Sequence, residues 1–526
     1  MIKNISELHK RTFAIFIKFL KIIYSLIIYI FVFMHIEDEY IRLIFGLKLK
    51  QIRTEKKLSL FGLAKLTGLS KSYLNEIEKG KKYPKTDKIV LLSENLDVPY
   101  DHLVSLKLDK NLAPIGEILQ SQILKEIPFE LFGIQEKNLI DIVANAPAKV
   151  NAFISTIIKI SQNYNLTRES FFLASLRSYQ EAHNNYFEEI EDHVEAFAKA
   201  YHIDLSSKIE SSDLEEILIE EFNYTIDNEE LSKYSNLNEL RNLYIPAKKT
   251  LLISKEISEA QKAFIYAKEI AYNFLKIENR LFTFPWIKFE SFDQVLNNFI
   301  ASYFAGALII SKQNLVHELK TFFESKTWSN ENFNIMMRKY NCSAESFYQR
   351  LTNILPKYFN IKNLFFLRFT HKVDSPKYKL TKELHITQQQ TPHANRNNEH
   401  YCRRWISINS IQNLENSNAS TSFGIQTSSY ENSTNEYLVL SSATSDPFKK
   451  DVSRSISIGL LISPHLKKRL KFANDTSIPT KKVGITCETC SIKDCKERMI
   501  EPWRLQRELD FEDFDKTVST ILNTYS

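Results

Sequence analysis

Four polar side chains between residues 71 and 76 have the types and the spacing to form hydrogen bonds with the edges of DNA bases. They fall on one face of a helical pattern, opposite the apolar Leu74 and Ile77. A lysine ammonium can donate to the acceptors of guanine, and a carboxylate can accept from the amino group of cytosine. A helix with such a face fits the major groove, so the segment predicts base recognition. The four residues are Lys71, Ser72, Asn75 and Glu76.

Helix caps and turn residues place this face within a helix-turn-helix. A serine can cap the start of each of two helices, and a glycine, which has no Cβ, can take the left-handed backbone where each helix ends. The serines are Ser59 and Ser70, the glycines are Gly68 and Gly80, and the helices cover about 60–66 and 71–79. The alternative interpretation is a helical hairpin inside another kind of domain.

The segment from about Ile41 to Leu106 resembles the phage-repressor-like (XRE-type, Cro/CI) helix-turn-helix family, which folds as five short helices. The resemblance implies an ion pair between Arg53 and Glu78. It also implies base contacts by Lys71, Ser72 and Glu76, and phosphate contacts that fix the register. Leu60 stands where many members carry a glutamine, so that contact is expected to be absent. The predicted DNA interface comprises Ser59, Ser70, Lys71, Ser72, Asn75, Glu76, Lys79, Lys81 and Lys82.

The charge distribution agrees with a localised nucleic-acid contact. Residues 41–105 contain thirteen Lys or Arg and seven Asp or Glu, a net of +6, and the whole 526-residue chain is also +6. The remaining residues therefore sum to about zero, and the basic surplus lies on the helix-turn-helix. The predicted partner is double-stranded operator DNA rather than polyanions in general.

Composition excludes several other classes of protein. The chain is long enough for two to four domains, and its ten glycines form neither GxGxxG nor GxxxxGK[ST]. A Rossmann dinucleotide site and a P-loop ATPase are therefore not expected. The five cysteines lack a secreted pairing pattern, which predicts a reducing, cytoplasmic setting.

The N-terminal segment 13–36 is almost continuously apolar and is preceded by Lys3, Lys10 and Arg11. A signal anchor with its positive end inside would place the helix-turn-helix on the side of the membrane without DNA. A misplaced start is the simpler account, because Met34 begins a sequence typical of this family's N-terminus. A membrane anchor over 13–33, which would make the protein a membrane-tethered regulator, and a buried helix are the alternatives.

The predicted fold is mostly α with a mixed α+β C-terminal region. Strand-like segments are NLYIPAKKTLLIS in the middle of the chain and NLFFLRFT, YCRRWISIN, EYLVLSS and SISIGLLIS in its last third. The predicted domains are an apolar segment (1–40), the five-helix DNA-binding domain (41–106), a helical middle region (107–210), a peptidase-like helical domain (211–325) and a strand-rich C-terminal domain (326–526).

QKAFIYAKEIAYNFL (261–275) and NNFIASYFAGALIIS (297–311) resemble the two-helix core of the ImmA/IrrE-type zinc peptidases. That chemistry needs an HExxH helix, with two histidines on the metal and a glutamate as general base. Lys268 and Tyr272 stand at the histidine positions, and only Glu269 is kept. An ammonium repels a cation, so neither a catalytic metal nor enzymatic activity is expected, although a repressor-cleaving metallopeptidase is the rival class. The three side chains would line the vacated site and could contact a ligand.

The order of these regions resembles the bacterial short-chain fatty acyl transcriptional regulators. The resemblance is carried by LIDIVANAPAKVNAFI (139–154), ASYFAGALI (301–309), CRRW (402–405) and VGITCETCSIKDCKERMIEPW (483–503). It implies control of acyl metabolism by a regulator that senses a small acyl metabolite such as an acyl-CoA. Two-fold operators further predict a homodimer.

Four cysteines could form a separate site. Cys487, Cys490 and Cys495 place three thiolates on one short loop, and Cys402 could supply a fourth. Four thiolates would complete a tetrahedral structural zinc site, and an iron–sulfur cluster could use the same ligands. Unmetallated or redox-sensitive thiols are the remaining alternatives. No cofactor is required by the sequence.

Overall fold

The computed structural model describes residues 41–105 and 168–525, except 43, 285–288, 290, 387–398, 418, 431–432, 447 and 450. The chain divides into two compact units, Met1–Thr167 and Arg168–Ser526. The apolar segment predicted at 13–36 and the part of the predicted middle region before residue 168, including the 139–154 motif, lie outside the described residues.

Five helices form the described part of the first unit. The hydroxyl oxygen of Ser59 accepts a hydrogen bond from the Gly62 N–H at 2.9 Å, and that of Ser70 accepts from the Tyr73 N–H at 3.2 Å. Gly68 has a φ of +71°, the left-handed conformation that ends the first of these two capped helices. The helices are α1 (44–55), α2 (Leu60–Thr67), α3 (Lys71–Glu78), α4 (Thr86–Leu96) and α5 (Tyr100–Val104).

Every helix of this unit contributes apolar side chains to one core. Fully buried examples are Leu49, Leu63, Leu74, Leu92 and Leu103, one from each helix. Burial of these side chains is the main source of stability for helices this short. Lys48 is also buried, and its ammonium donates to the His102 carbonyl at 2.9 Å. A cation at the C-terminal end of α5 satisfies carbonyls that have no partner within that helix.

The second unit begins with helices that surround a small sheet. Ser258 and Gln261 form a capping box at the start of α9, which fixes where this largely buried helix begins. The helices are α6 (Arg168–Ala182), α7 (Glu188–Ala200), α8 (Ser211–Glu220), α9 (Glu259–Phe274), α10 (Phe292–Ile309), α11 (Lys312–Phe323), α12 (Asn330–Arg338) and α13 (Ala344–Phe359). The small sheet has the order β1 (Thr225–Asp227), β3 (Thr250–Ile253), β2 (Asn242–Ile245) and β4 (Thr283–Phe284), with only the β1–β3 pair parallel.

A six-stranded sheet follows, and one of its faces packs on the helices. Its order is β10-β7-β8-β9-β5-β6, antiparallel except for the β10–β7 pair. One apolar core continues from α7 through α9 and α10 to strands β5, β8 and β9. The strands are β5 (Leu364–Lys372), β6 (Tyr378–Ile386), β7 (Thr421–Tyr430), β8 (Glu436–Ser445), β9 (Val452–Leu461) and β10 (Thr480–Val483), and the helices are α14 (Ile406–Glu415), α15 (Pro464–Arg469) and α16 (Trp503–Tyr525).

The predicted fold class is confirmed: the described residues are mostly helical, with mixed α+β structure in the second unit. The strand prediction for YCRRWISIN (401–409) is wrong, because Ile406 begins α14. Ile408, Ile411 and Leu414 are buried at a spacing of three residues, which is a helical face. The boundary predicted after residue 325 falls between α11 and α12 inside the second unit, and the division into two domains there stays a prediction.

A buried ion pair joins three helices of the second unit. The guanidinium of Arg350 in α13 donates to both carboxylate oxygens of Glu191 in α7, at 2.5 and 2.9 Å. Its Nε donates to the carbonyl of Ile310, just after α10, at 3.0 Å, and the Tyr303 hydroxyl also donates to Glu191. The charges are therefore matched and their hydrogen bonds are made, as burial of an ion pair requires.

Among the described residues, no single helix combines the length and the apolar composition needed to cross a membrane. Helices α10 and α11 meet that test only as a pair, and they are bent by 63° relative to each other.

Candidate nucleic-acid interface and candidate ligand cavity

The predicted base-reading residues lie on the solvent side of α3. Lys71 and Ser72 are exposed, Asn75 and Glu76 are partly exposed, and Leu74 and Ile77 on the other side of the helix are buried. The flanking Ser59, Ser70, Lys79, Lys81 and Lys82 are also exposed. The structure thus places the nine predicted DNA-contact residues at the surface of one helix pair and its ends, and their individual contacts with DNA stay predictions.

An ion pair holds α3 against α1. Arg53 donates from Nε and Nη2 to the two carboxylate oxygens of Glu78, at 2.6 and 2.9 Å, and from Nη1 to the Leu58 carbonyl at 2.8 Å. The hydrogen bond to Glu78 raises the pKa of Arg53. Two parallel hydrogen bonds fix the direction of a contact as well as its distance, so this ion pair helps to set the orientation of α3 relative to α1.

Gly46 allows α1 to approach the end of α3 closely. A Cβ at this position would lie 2.3 Å from the Ile77 carbonyl oxygen and 3.0 Å from that of Glu78. The Gly46→Ala substitution is therefore expected to lower the unfolding free energy of the domain by about 1–3 kcal/mol. Denaturant-dependent hydrogen exchange of the amides in α1 and α3 measures this loss.

Gly306→Ala is the matched control, because a Cβ there meets nothing within 4 Å and Gly306 lies inside α10. It should preserve stability or add up to about 1 kcal/mol through helix propensity. Equal exchange rates in Gly46→Ala and the unchanged protein would show that the two helices can separate at no cost.

Two predicted DNA contacts bind each other in the absence of DNA. Lys82 donates to the Glu76 carboxylate, with Nζ and Oε2 2.8 Å apart, and this hydrogen bond lowers the pKa of Glu76. Both side chains remain substantially exposed. Glu76 therefore competes with DNA phosphate for the Lys82 ammonium.

The Glu76→Gln variant should bind random DNA more tightly, because Lys82 becomes available to a phosphate. One added phosphate contact steepens the slope of the logarithm of the binding constant against the logarithm of the salt concentration by about 0.9. The preference for the operator over random DNA should fall, because the predicted base contact of Glu76 is lost. Anisotropy titrations at several salt concentrations measure both quantities. Glu94→Gln, the same change at an exposed position of α4, is the control, and an identical slope in the two variants would refute the competition.

The three residues at the peptidase-like positions line a cavity of about 270 Å³ in the second unit. Lys268, Glu269 and Tyr272 come from α9, and the opposite walls come from α10, α13 and the ends of strands in both sheets. Phe264, Ile265, Leu281 and Ile456 make part of the lining apolar. The sequence prediction that the three α9 side chains contact a ligand stays a prediction.

Lys268 stands at the first of the two predicted histidine positions and lines the cavity. Its Nζ donates to the Asn298 side chain of α10 at 2.6 Å. Burial lowers the pKa of Lys268 to about 8; Glu269 opposes the shift, while Arg280 and Lys382 add to it. The ammonium is therefore charged at neutral pH and loses its proton within the mildly alkaline range.

Glu269 is not arranged as a general base. The guanidinium of Arg280 donates to its two oxygens at 2.5 and 2.6 Å, and the Tyr224 hydroxyl donates at 3.0 Å. Arg280 also lies over the rings of Tyr244 and Tyr272, 4.3 and 3.9 Å from their centroids. The carboxylate is thus held as an anion by a fixed cation, and its oxygens are occupied.

Further cations from distant parts of the chain line the same cavity. The lining includes Arg241, Lys382 and Arg454 in addition to Lys268. Its carboxylates are those of Glu269 and Glu345. Burial lowers the pKa of Arg241 and lowers that of Arg454 to about 10, where nearby arginines add to the shift. Among the described residues, four cations and two carboxylates therefore line this cavity. Of these, Glu269 pairs with Arg280, and Arg454 pairs with Asp446.

Glu345 is a second carboxylate that lines the cavity, besides the one paired with Arg280. It accepts from Arg368 Nη1 at 3.0 and 3.1 Å and from Lys382 at 3.3 Å. Burial alone would raise the pKa of Glu345, but Lys382 and Arg368 hold it at about 2.

The Tyr272 hydroxyl, buried on the cavity wall, makes no hydrogen bond within the part of the chain that the structure describes.

The four predicted metal-ligand cysteines line one small cavity of about 10 Å³. Cys402, Cys487 and Cys490 are buried and Cys495 is partly exposed. Burial raises the pKa of the Cys402 thiol to about 11. Over the described ranges, no group of three or more His, Cys, Asp or Glu side chains has an arrangement that could hold a metal ion. The sulfur donors are those that zinc prefers, and a zinc or cluster site here stays a prediction.

Local sequence patterns could not reveal the cation cluster. Arg241 lies just before β2, Lys382 lies on β6 and Arg454 lies on β9. Only the fold brings them to the cavity beside α9. A single arginine on a strand is otherwise indistinguishable from a solvated charge.

Comparison with known proteins supports the helix-turn-helix and leaves the second unit open. Residues 49–103 match the family model for helix-turn-helix domains (HTH_3). No curated protein matches the chain. A solved structure titled "Mycobacterium tuberculosis transcriptional regulator" is similar at 14% identity and a TM-score of 0.44, covering 62% of this chain and 92% of that one. Residues 49–103 are thus an XRE-type helix-turn-helix domain, and the chain is a DNA-binding transcription regulator.

Proposed function

We propose that the chain is a homodimeric regulator that controls genes of short-chain acyl metabolism in response to an acyl metabolite such as an acyl-CoA. The exposed α3 face carries the DNA-binding part of the proposal, because two such faces related by two-fold symmetry match the half-sites of a palindromic operator. The resemblance to the short-chain fatty acyl regulators supplies the class of gene.

The cation-lined cavity supports the choice of ligand. Arg241, Lys268 and Arg454 line the same space as the apolar Phe264 and Ile456. A ligand with an anionic group and a short apolar chain could form hydrogen bonds with such cations and bury its chain against the apolar side chains. A volume of about 270 Å³ suits a small acyl anion or one end of an acyl-CoA.

The peptidase-like identity of residues 211–325 belongs to the same proposal. Helices α9 and α10 pack against each other and keep the core apolar positions of the resemblance. Lys268 and Tyr272 replace the metal-binding histidines, and Arg280 occupies the carboxylate of Glu269. The scaffold would therefore bind a ligand where a peptidase binds its metal, without catalysis.

Fluorescence anisotropy on the DNA upstream of the chain's own gene tests the proposal. Saturable binding that weakens steeply with salt and shifts on addition of acetyl-CoA or propionyl-CoA is the expected result. Binding that is indifferent to both acyl-CoAs would remove the ligand from the proposal. The absence of any preference over random DNA would overturn the operator-reading role.

Two lysine variants separate base recognition from general charge. Lys71→Ala removes an exposed cation from α3, and Lys65→Ala removes one from α2 outside the predicted interface. A lost bidentate base contact costs about 1–3 kcal/mol of discrimination between bases. Only Lys71→Ala should therefore reduce the difference in affinity between operator and random DNA. An equal effect of the two variants would argue against base reading by α3.

A further inference from the structure

Helix α16 exposes an apolar seam along one side. Trp503, Phe511, Phe514, Val518 and Ile521 are 51%, 67%, 64%, 37% and 52% exposed. From Phe511 onward they are spaced three, four and three residues apart, which is the a/d repeat of a coiled coil. An apolar stripe of this kind on a 23-residue helix needs a partner surface.

The first turns of α16 are fixed to the rest of the second unit. Arg504 forms an ion pair with Glu399, which raises the pKa of Arg504. The same end of the helix packs beside the turn at Cys487–Thr489. The seam from Phe511 to Ile521 is therefore presented by a helix of defined direction, whose base is attached to the folded unit.

We propose that this seam is the surface through which two copies of the chain associate, by packing α16 of one copy antiparallel against α16 of the other. The inference rests on the homodimer of the proposed function and names its interface. A self-complementary helix face fits a two-fold axis, because each copy supplies the same side chains to the contact.

The area of the seam is sufficient for a dimer. Aromatic side chains carry on the order of 150–250 Å² each, so the exposed fractions of the five residues correspond to about 500 Å² per copy. Two copies would bury about 1,000 Å² before flanking polar atoms are counted, which is about the minimum for a biological interface.

The charge pattern favours a second copy in the antiparallel direction. Residues 504–516 contain three basic and five acidic side chains, whereas 517–525 contain no charge. A parallel pair would place the acidic halves side by side and bring Asp510 opposite Asp515 of the other copy, where like charges repel. An antiparallel pair places each acidic half beside the uncharged half of its partner.

Sedimentation velocity of the full chain tests the interface. The Phe514→Asp/Ile521→Asp variant should sediment as a monomer at concentrations where the unchanged chain is a dimer, and circular dichroism should show the same helix content. Leu509→Asp is the matched control, because Leu509 is 48% exposed on the opposite side of α16; it should remain a dimer. A dimer that survives the double substitution overturns the seam as the interface but leaves the proposed homodimer standing, whereas an unchanged chain that is monomeric throughout overturns both.

Photocrosslinking tests the direction. With p-benzoylphenylalanine in place of Ile521 and an isotopically labelled second copy, an antiparallel pair should link to the labelled tryptic peptide 508–516. A link to the labelled peptide 517–526 would overturn the antiparallel arrangement. An even yield over surface peptides elsewhere in the second unit would overturn the helix pair.

Discussion

The Arg350→Met variant is expected to lose about 3–5 kcal/mol of unfolding free energy, because it leaves a buried carboxylate without its charged partner. Arg350 and Glu191 are 1% and 2% exposed, so water cannot replace the lost hydrogen bonds. Their contacts join α7, α13 and the end of α10. A methionine of similar length would fill the space but would satisfy neither Glu191 nor the Ile310 carbonyl.

Urea unfolding of the second unit measures this loss, and the chain offers a control on the same two helices. Lys357 of α13 pairs with Glu188 of α7 at 2.7 Å, but both side chains are about half exposed. Lys357→Met should therefore change stability by less than about 1 kcal/mol. The double variant Glu191→Gln/Arg350→Met should regain much of the loss, since it removes the unpaired charge. Equal losses in the two single variants would mean that the buried pair contributes no more than a surface pair.

The helix-turn-helix could be predicted from the sequence because its signals are local. Ser59, Gly68 and Ser70 lie within a dozen residues, and each acts on backbone groups two or three positions away. The heptad-like spacing on α16 is just as local. Whether its apolar side chains belong to a core or to an interface depends on their exposure, which only the fold shows.

Segments whose structure depends on packing were harder to predict. Residues 421–430, which are rich in Ser and Thr, are not among the strand-like segments predicted from the sequence. They nevertheless form β7, paired on both sides by β8 and β10. Ile406 and Ile408 alternate as in a strand, yet they lie in the first turn of α14. The apolar residues Ile408, Ile411 and Leu414 recur every three residues, which is a helical pattern. Tertiary pairing decided each case over local preference.

The ligand cavity shows the same limit at the level of function. The resemblance to a zinc peptidase directed attention to Lys268 and Tyr272, and both line the cavity. The other cations that line the cavity are residues 241, 382 and 454, which share no sequence spacing. The substituted metal-ligand positions of a peptidase-like site can be found from the sequence. The side chains that would select a new ligand come from distant parts of the chain, so only the fold shows them.

Acyl-CoA binding by the full chain should weaken as the pH rises through about 8, the pKa to which burial lowers Lys268. The sign follows from the charge: below this pH the ammonium attracts an anionic ligand, and above it the neutral amine does not. A hydrogen bond to a charged group is worth about 1.5–3 kcal/mol. Because a single proton is lost with a pKa of about 8, affinity for propionyl-CoA should fall by up to about 10-fold between pH 7 and pH 9. Isothermal titration calorimetry in buffers of equal ionic strength measures the change.

Substitution at Lys268 should remove this pH dependence rather than only weaken binding. Lys268→Met should bind propionyl-CoA at pH 7 at least as weakly as the unchanged chain does at pH 9. Its pH profile should be nearly flat between them, because the cavity group with a pKa of about 8 is gone. Lys262→Met removes a lysine from the same helix outside the cavity, where it pairs with Glu259, and should keep the full pH dependence. A sloping profile in Lys268→Met would assign the titration to another group, and equal behaviour of the two variants would place the ligand away from α9. The flat profile is specific to a contact with the ligand, since a general loss of folding would lower affinity at every pH without removing the slope.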